Sequence, residues 1–282
     1  MIRNQKDNHS DAAGDEVFSS GQHLQALSDQ ALEQVGVRHY SLNRVSTDLI
    51  QSKHDLGLRK SLNQPTREIR LAPARLDPHL VVFNDSDPGA AERYNNLAVS
   101  LLATASRRPC KRVVITSAQH GEGRTCVLLN LAAALARISQ RVLVIDTDLL
   151  QPSVLRLLGA ETEVGLAELL RHNLSPGEAS LRVTPGDFHL IAARERGTNA
   201  AEILASPALT GLLQLVEPDY DFILFDSSPL LESANTHLLM RLADAALMVI
   251  QPGRNKASQL AQAVSLFTEE NLCGVVLNRL DA

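Results

Sequence analysis

Between Ala118 and Thr125 the chain reads A-Q-H-G-E-G-R-T. Two glycines, a cation and a hydroxyl residue at this spacing can build an anion-binding loop. Gly121 and Gly123 have no side chain, so successive backbone N–H groups can turn inward on a negative group. Arg124 adds a positive charge, and Thr125 offers a hydroxyl suited to Mg²⁺. Loops of this spacing that cradle nucleotide phosphates end in glycine, lysine and Ser or Thr. Here arginine stands where the lysine would be. A planar fork is bulkier than an ammonium and presents its donors differently. Either it serves the phosphates almost as well, or it holds them and positions them poorly for transfer. A glycine-rich turn that binds nothing is the competing reading; a strand before the loop and a helix after it weigh against that. With Glu122 and Cys126, the candidate nucleotide contacts are Gly121, Glu122, Gly123, Arg124, Thr125 and Cys126.

Acids come next. V-L-V-I-D-T-D-L-L-Q-P, Val142 to Pro152, delivers Asp146 and Asp148 to the carboxyl end of a buried strand, two residues apart and so on one side of an extended chain. Such a pair can serve hydrated Mg²⁺ and accept a proton from a hydroxyl nucleophile. Alternatively, Asp148 caps the helix that follows. Y-D-F-I-L-F-D-S-S-P, Tyr220 to Pro229, has four apolar residues leading to Asp226, the layout of a strand whose acid holds Mg²⁺ through water. Thr125, Asp146 and Asp226 are thus the candidate metal residues, and Arg124, Asp146 and Asp148 the candidate catalytic ones. G-V-V-L-N-R, Gly274 to Arg279, ends a strand in Asn278, whose amide suits an adenine edge, with Arg279 placed to stack beside it. A polar strand end of no further consequence is an equal reading there. Ser227 and Ser228 have no evident His partner, which argues against a hydrolase triad.

These residues need a scaffold that brings strand ends together. Apolar runs at Arg112–Thr116, Arg141–Asp146, Phe188–Ala192, Phe222–Asp226, Ala245–Ile250 and Val275–Asn278 alternate with helical stretches, one of them Ala90 to Ala105 with Leu97, Leu101 and Leu102 inward. Runs without polar alternation indicate parallel strands covered on both faces. The expected fold is α/β, a doubly wound and mostly parallel sheet, whose ligands bind beyond the carboxyl ends of the strands. Residues 1–78 are polar, with a faint helical spacing at Leu24, Leu27, Leu32 and Val35, and read as a largely irregular arm. The globular domain is expected over 79–282.

Bulk properties narrow the function. Net charge of −5 gives no reason to expect nucleic-acid binding, and aromatics at 3% with no Trp give no base-stacking platform. Cys110, Cys126 and Cys273 share no metal-ligand spacing and suit a reducing compartment. No apolar run reaches the length of a membrane span, and residues 1–16 do not read as a signal peptide.

The ordered set T-S-A-x-x-G-E-G-x-T, V-I-D-x-D-L-x-x-P, Y-D-x-I-x-x-D-S-x-P and G-V-V-L-N resembles the bacterial tyrosine kinases (BY-kinases) of capsule and exopolysaccharide systems. Gly165–Leu170 and Ala201–Ser206 agree with it as well. The likeness runs from about Asp77 to the C-terminal end, and its parent group is the MinD/ParA-like branch of P-loop ATPases. It implies an ATP- and Mg²⁺-dependent domain with the fold expected above, acting on protein tyrosine in the cytoplasm. It also implies a membrane-embedded polysaccharide co-polymerase as partner, peripheral attachment to the inner membrane through that partner, and a homo-oligomeric ring. Carried over, Gly121, Gly123, Arg124 and Thr125 bind ATP, Asp146 and Asp148 serve Mg²⁺ and the attacking hydroxyl, and Asp226 serves Mg²⁺. The departures are specific. Lysine is Arg124; the helix motif E-x-x-R-x-x-R that reaches a neighbour's nucleotide is Glu92, Asn95 and Ala98; the arginines after D-x-D-L are Leu150 and Gln151. The tyrosine-rich tail has no counterpart: the tyrosines are Tyr40, Tyr94 and Tyr220. These departures open a second reading, a kinase-inactive ATP-dependent switch.

Overall fold

A strand covered by helices on both faces must be apolar along its whole length, and the central strands are. In the computed structural model, residues 67–84, 86–194, 196, 199–268 and 270–279 are described. Among them run the strands β1 (Arg67–Arg70), β2 (Arg112–Ser117), β3 (Val142–Asp146), β4 (Ser180–Thr184), β5 (Phe188–Ile191), β6 (Phe222–Asp226), β7 (Ala245–Ile250) and β8 (Leu272–Leu277). They form one sheet in the order β1-β4-β5-β3-β6-β2-β7-β8. Pairing is parallel except between β4 and β5.

Side chains alternate across the sheet with period two, and both faces are apolar. Val113, Ile115, Val142, Val144, Phe222 and Leu224 join one core. Val114, Leu143, Ile145, Ile223 and Phe225 join the other. The first core is closed by helices α1 (Val81–Asn84), α2 (Pro88–Ala105) and α3 (Arg124–Arg137). The second is closed largely by α4 (Pro207–Val216), through Leu209, Leu212 and Leu213. Helix α2 starts where Asp87 accepts the Ala90 N–H at 2.8 Å, with Pro88 in its first turn. Leu101 of α2 is fully in the core, whereas Leu97 and Leu102 are only partly buried. No helix among the described residues is long and apolar enough to cross a membrane.

The sheet departs from the sequence expectation at its margin. Among the described residues it includes β1, so Arg67–Arg70, placed in the arm by the sequence reading, pairs within the sheet. β1 (R-E-I-R) is a short, largely exposed edge strand without an apolar run, which hid it. β4 was likewise not expected: S-L-R-V-T puts Arg182 out and Leu181 and Val183 in. The Val81–Phe83 run is a helical turn. The faint helical spacing at Leu24–Val35 lies outside the described residues.

Asn130 breaks the apolar run of α3, yet its side chain is fully buried. Its Nδ2 donates to the carbonyls of His79 and Cys126, each at 2.9 Å, and its Oδ1 accepts the Val82 N–H at 3.0 Å. The amide thus pins α1 to the helix that follows the glycine loop. Truncation would strand a buried N–H and a buried carbonyl. Asn130→Ala is therefore expected to lower the unfolding free energy by about 2–4 kcal/mol in urea titration, against less than about 0.5 kcal/mol for exposed Asn96→Ala.

Candidate functional site

The parallel register does the first part of the work. β3 and β6 lie side by side with Asp146 opposite Asp226. Both strands end there, so two carboxylates leave the sheet together. Asp148 follows two residues later and donates its N–H to Asp146 Oδ1 at 3.1 Å. β2, next to β6, feeds the glycine loop, and α3 starts at Arg124. Loop, helix start and three acids therefore meet at one edge of the sheet.

The loop needs its glycines for backbone and for space. Gly121 and Gly123 have φ of 83° and 90°, which favours glycine. A Cβ on Gly123 would lie 2.1 Å from Asn278 Nδ2, and one on Gly121 would lie 2.7 Å from Arg254 Nη2. Glu122, between them, points inward and is completely buried. Its carboxylate accepts the Gln119 N–H at 2.9 Å, the Gln251 N–H at 3.3 Å and a short bond from Asn255 Nδ2. Only the Glu122 backbone is thereby left for a ligand. His120 is exposed, and its N–H donates to Glu232 Oε1 at 2.7 Å.

Arg124 is 5% exposed. Its Nη1 donates to Ser117 Oγ at 2.7 Å and to the Gln119 carbonyl at 3.2 Å, and its Nη2 to Asp148 Oδ2 at 3.4 Å. The guanidinium thus closes the strand side of the loop onto one of the acids. Thr125 Oγ1 donates to Asp226 Oδ2 at 2.7 Å and lies 2.8 Å from Ser153 Oγ. Asp148 Oδ1 accepts Ser228 Oγ–H at 2.8 Å and the Gln151 N–H at 3.2 Å, so Asp148 both supports the following turn and faces the loop. Ser153 and Ser228 were not expected in the site; both directly follow or precede a proline in the acid motifs, and that adjacency was the available signal. Cys126 presents its thiol to the core, where burial pushes its pKa up to about 11.

At the far end of the sheet, Asn278 lies just past β8, and its Nδ2 donates to the Glu122 carbonyl at 2.8 Å. Arg279 Nη1 reaches Gln251 Oε1 at 3.3 Å. Asn278 is therefore a clamp on the glycine loop, and its N–H is already committed there.

The acids outnumber the cations. Asp146, Asp148 and Asp226 are all buried, and Arg124 is the guanidinium set among them. Burial, followed by the neighbouring Asp226 and Asp148, holds the Asp146 carboxyl well above the usual range. Burial likewise pushes Asp226 up to about 7, against the pull of Arg124 and Thr125. Asp146 Oδ2 and Asp226 Oδ1 are buried with no hydrogen-bond partner. Two orphaned carboxylate oxygens beside a threonine hydroxyl fit a divalent cation completed by water and a ligand's oxygens. The described residues hold no ready-made cage of three or more His, Cys, Asp or Glu side chains. Outside ligands would have to finish the shell.

One consequence can be measured without a nucleotide. Asp226 titrates near 3.9 in an unfolded chain and at about 7 in the fold, so the folded state holds an extra proton between those values. That contribution to stability is present at low pH and is lost as pH rises through about 7. Urea midpoints in EDTA are expected to fall between pH 5 and pH 8, at up to about 1.4 kcal/mol per unit for one proton, and Asp226→Asn should flatten the profile.

The AAA domain family matches residues 110–272. The tyrosine-protein kinase YwqD of Bacillus subtilis (strain 168) is 28% identical over 207 residues, which cover 73% of this chain and 87% of that protein. The tyrosine-protein kinase etk of Escherichia coli (strain K12) is 28% identical over 203 residues, 71% of this chain but only 28% of that longer protein. In fold, the kinase domain of Escherichia coli tyrosine kinase ETK superposes with a TM-score of 0.68 at 24% identity, covering 89% of this chain and 95% of that one. The chain belongs to the AAA domain family, and the relatives named here are bacterial tyrosine-protein kinases.

Proposed function

We propose that the chain binds Mg-ATP at the glycine loop and transfers the γ-phosphoryl group to a protein tyrosine. The observation that carries this is the convergence of a two-glycine anion nest with three buried acids, two of which keep an oxygen without a partner. The backbone N–H groups around Gly121 and Gly123, with the N-terminus of the 14-residue α3, gather phosphate oxygens. Thr125, Asp146 and Asp226 hold the Mg²⁺, which when bound neutralises charge on the phosphates. Asp148 takes the phenolic proton as the tyrosine oxygen bonds to the γ-phosphorus and the bond to the bridging oxygen breaks, releasing ADP. Asn278 keeps its carbonyl oxygen for the adenine edge, and Arg279 lies beside it.

The acceptor tyrosine is not Tyr94 or Tyr220. Tyr220 is 4% exposed, Tyr94 is half-buried, and burial pushes the Tyr94 hydroxyl up to about 12. A tyrosine on another chain or in the polar arm fits better. The reading includes a membrane-embedded polysaccharide co-polymerase as partner, attachment to the cytoplasmic face of the inner membrane through it, and assembly of several copies. A second reading rests on the Arg124–Asp148 contact, which ties up the proton acceptor. In it the chain binds ATP and changes its partner contacts with little or no transfer.

Two experiments separate these. Purified protein with Mg-ATP and its partner should gain phosphotyrosine by immunoblot, and Asp148→Ala should lower the rate by about 10²-fold or more. ATP affinity without any phosphotyrosine would favour the switch. Arg124→Lys removes the fork that spans Ser117, Gln119 and Asp148, and phosphate release is expected to rise several-fold; unchanged or lower release would show that the arginine is no brake.

A further inference from the structure

The segment after β7 lies over the glycine loop and brings a cation with it. Gln251 to Asn255 reads Q-P-G-R-N, with Gly253 at φ 75° and the Arg254 N–H returning to the Gln251 carbonyl at 3.2 Å. This tight turn is fastened to the loop at two points and to the segment after β8 at a third. Glu122, buried inside the loop, accepts from Gln251 N–H and Asn255 Nδ2; Arg279 donates to Gln251 Oε1. The turn and the glycine loop therefore form one unit, although 129 residues of sequence separate Glu122 from Gln251.

Arg254 sits at the top of that unit. Its guanidinium carbon and Nη2 lie 3.1 Å and 2.7 Å from where a Cβ on Gly121 would be. The side chain is exposed, and among the described residues it has no hydrogen-bond or ion-pair partner. The acids of β3 and β6 lie across β2 from it, on the other flank of the loop. A guanidinium is thus held over backbone N–H groups that already favour an anion, with its own donors unspent. Arg124, the cation inside the loop, has Nη1 engaged by Ser117 and Gln119 and Nη2 by Asp148, and its Nε, though unpartnered, is buried. Of the two, Arg254 is the one with donors to offer a ligand.

We propose that Arg254 binds the phosphate chain of the nucleotide, supplied by the same chain that supplies the loop. The assignment rests on the nucleotide reading above and adds the residue that reads the ligand's charge. It predicts that recognition depends on the number of phosphates. A bidentate guanidinium contact to phosphate oxygens is a strong charge-assisted bond, so its loss should be visible as a change of an order of magnitude in affinity.

The test is calorimetric titration of the whole chain with Mg-ATP, Mg-ADP and adenosine, alongside nucleotide-free thermal melting. Arg254→Ala should weaken ATP and ADP about ten-fold or more and leave adenosine unchanged, and Arg254→Lys, which keeps the charge but not the fork, should recover only part of the loss. The nucleotide-free melting temperature should match that of the parent, because the side chain is exposed and unpartnered. Parental ATP and ADP affinity in Arg254→Ala would overturn the assignment while leaving nucleotide binding intact. A lowered nucleotide-free melting temperature, with equal loss for all three ligands, would show a merely structural prop and also overturn it. If the parent protein binds neither ATP nor ADP, the nucleotide reading itself fails and this assignment with it.

Discussion

Three carboxylates buried at neighbouring strand ends, with one guanidinium among them, set the terms for the whole molecule. Burial of like charges is costly, and the protein meets the cost in two ways. Protonation is made easier, as the raised Asp146 and Asp226 show. Donors are also brought in from elsewhere: Thr125 to Asp226, Ser228 and Arg124 to Asp148. What is left over is negative charge and two oxygens without partners. An apolar core would not tolerate that remainder without use, and a divalent cation beside phosphates is a use that fits it. The parallel register of β3 and β6 is what forces the encounter, since a shift of one residue would turn one of the two acids to the opposite face.

Much of this was legible in the sequence for a simple reason. The central strands are continuous apolar runs ending in acids, and the loop follows a fixed spacing; both are local patterns. β6 and β7 were placed to the residue, and the start of α3 at Arg124 was correctly read. What was missed is non-local. β1 and β4 are margin strands whose residues alternate or stay exposed, so they lack the signature of a covered strand. Asn130 interrupts an apolar run and carries no local signal, yet it is a clamp on residues about 50 positions away. Glu122 was expected as a nucleotide contact, and the partners that bury its carboxylate, Gln251 and Asn255, are beyond any local window. A lone arginine in a turn, such as Arg254, carries no periodic signal at all.

The arginine in place of lysine acquires a physical meaning from its contacts. A single ammonium on a flexible stem holds one point. The fork of Arg124 holds two: the loop carbonyl and hydroxyl through Nη1, and Asp148 through Nη2. Its Nε is buried and has no partner, so the residue is not fully satisfied in this arrangement. The same side chain therefore stabilises the loop without a ligand and competes for the acid that would accept a proton. Loop stability and transfer pull on one residue in opposite directions.

The loop glycines show the same economy of space. At Gly123 the competing atom belongs to Asn278, after β8; at Gly121 it belongs to Arg254, after β7. Each glycine therefore does two things, allowing a left-handed backbone and admitting a side chain from a distant strand end. Had only the backbone mattered, Asn would be an acceptable substitute in the left-handed region. At Gly123 it is not, because a Cβ there would fall 2.1 Å from the Asn278 amide that clamps the loop, whereas at Gly121 the flexible end of Arg254 would have to move aside. The loop is thus defined as much by what leans on it from β7 and β8 as by its own sequence, and the surface around it is assembled from five strand ends.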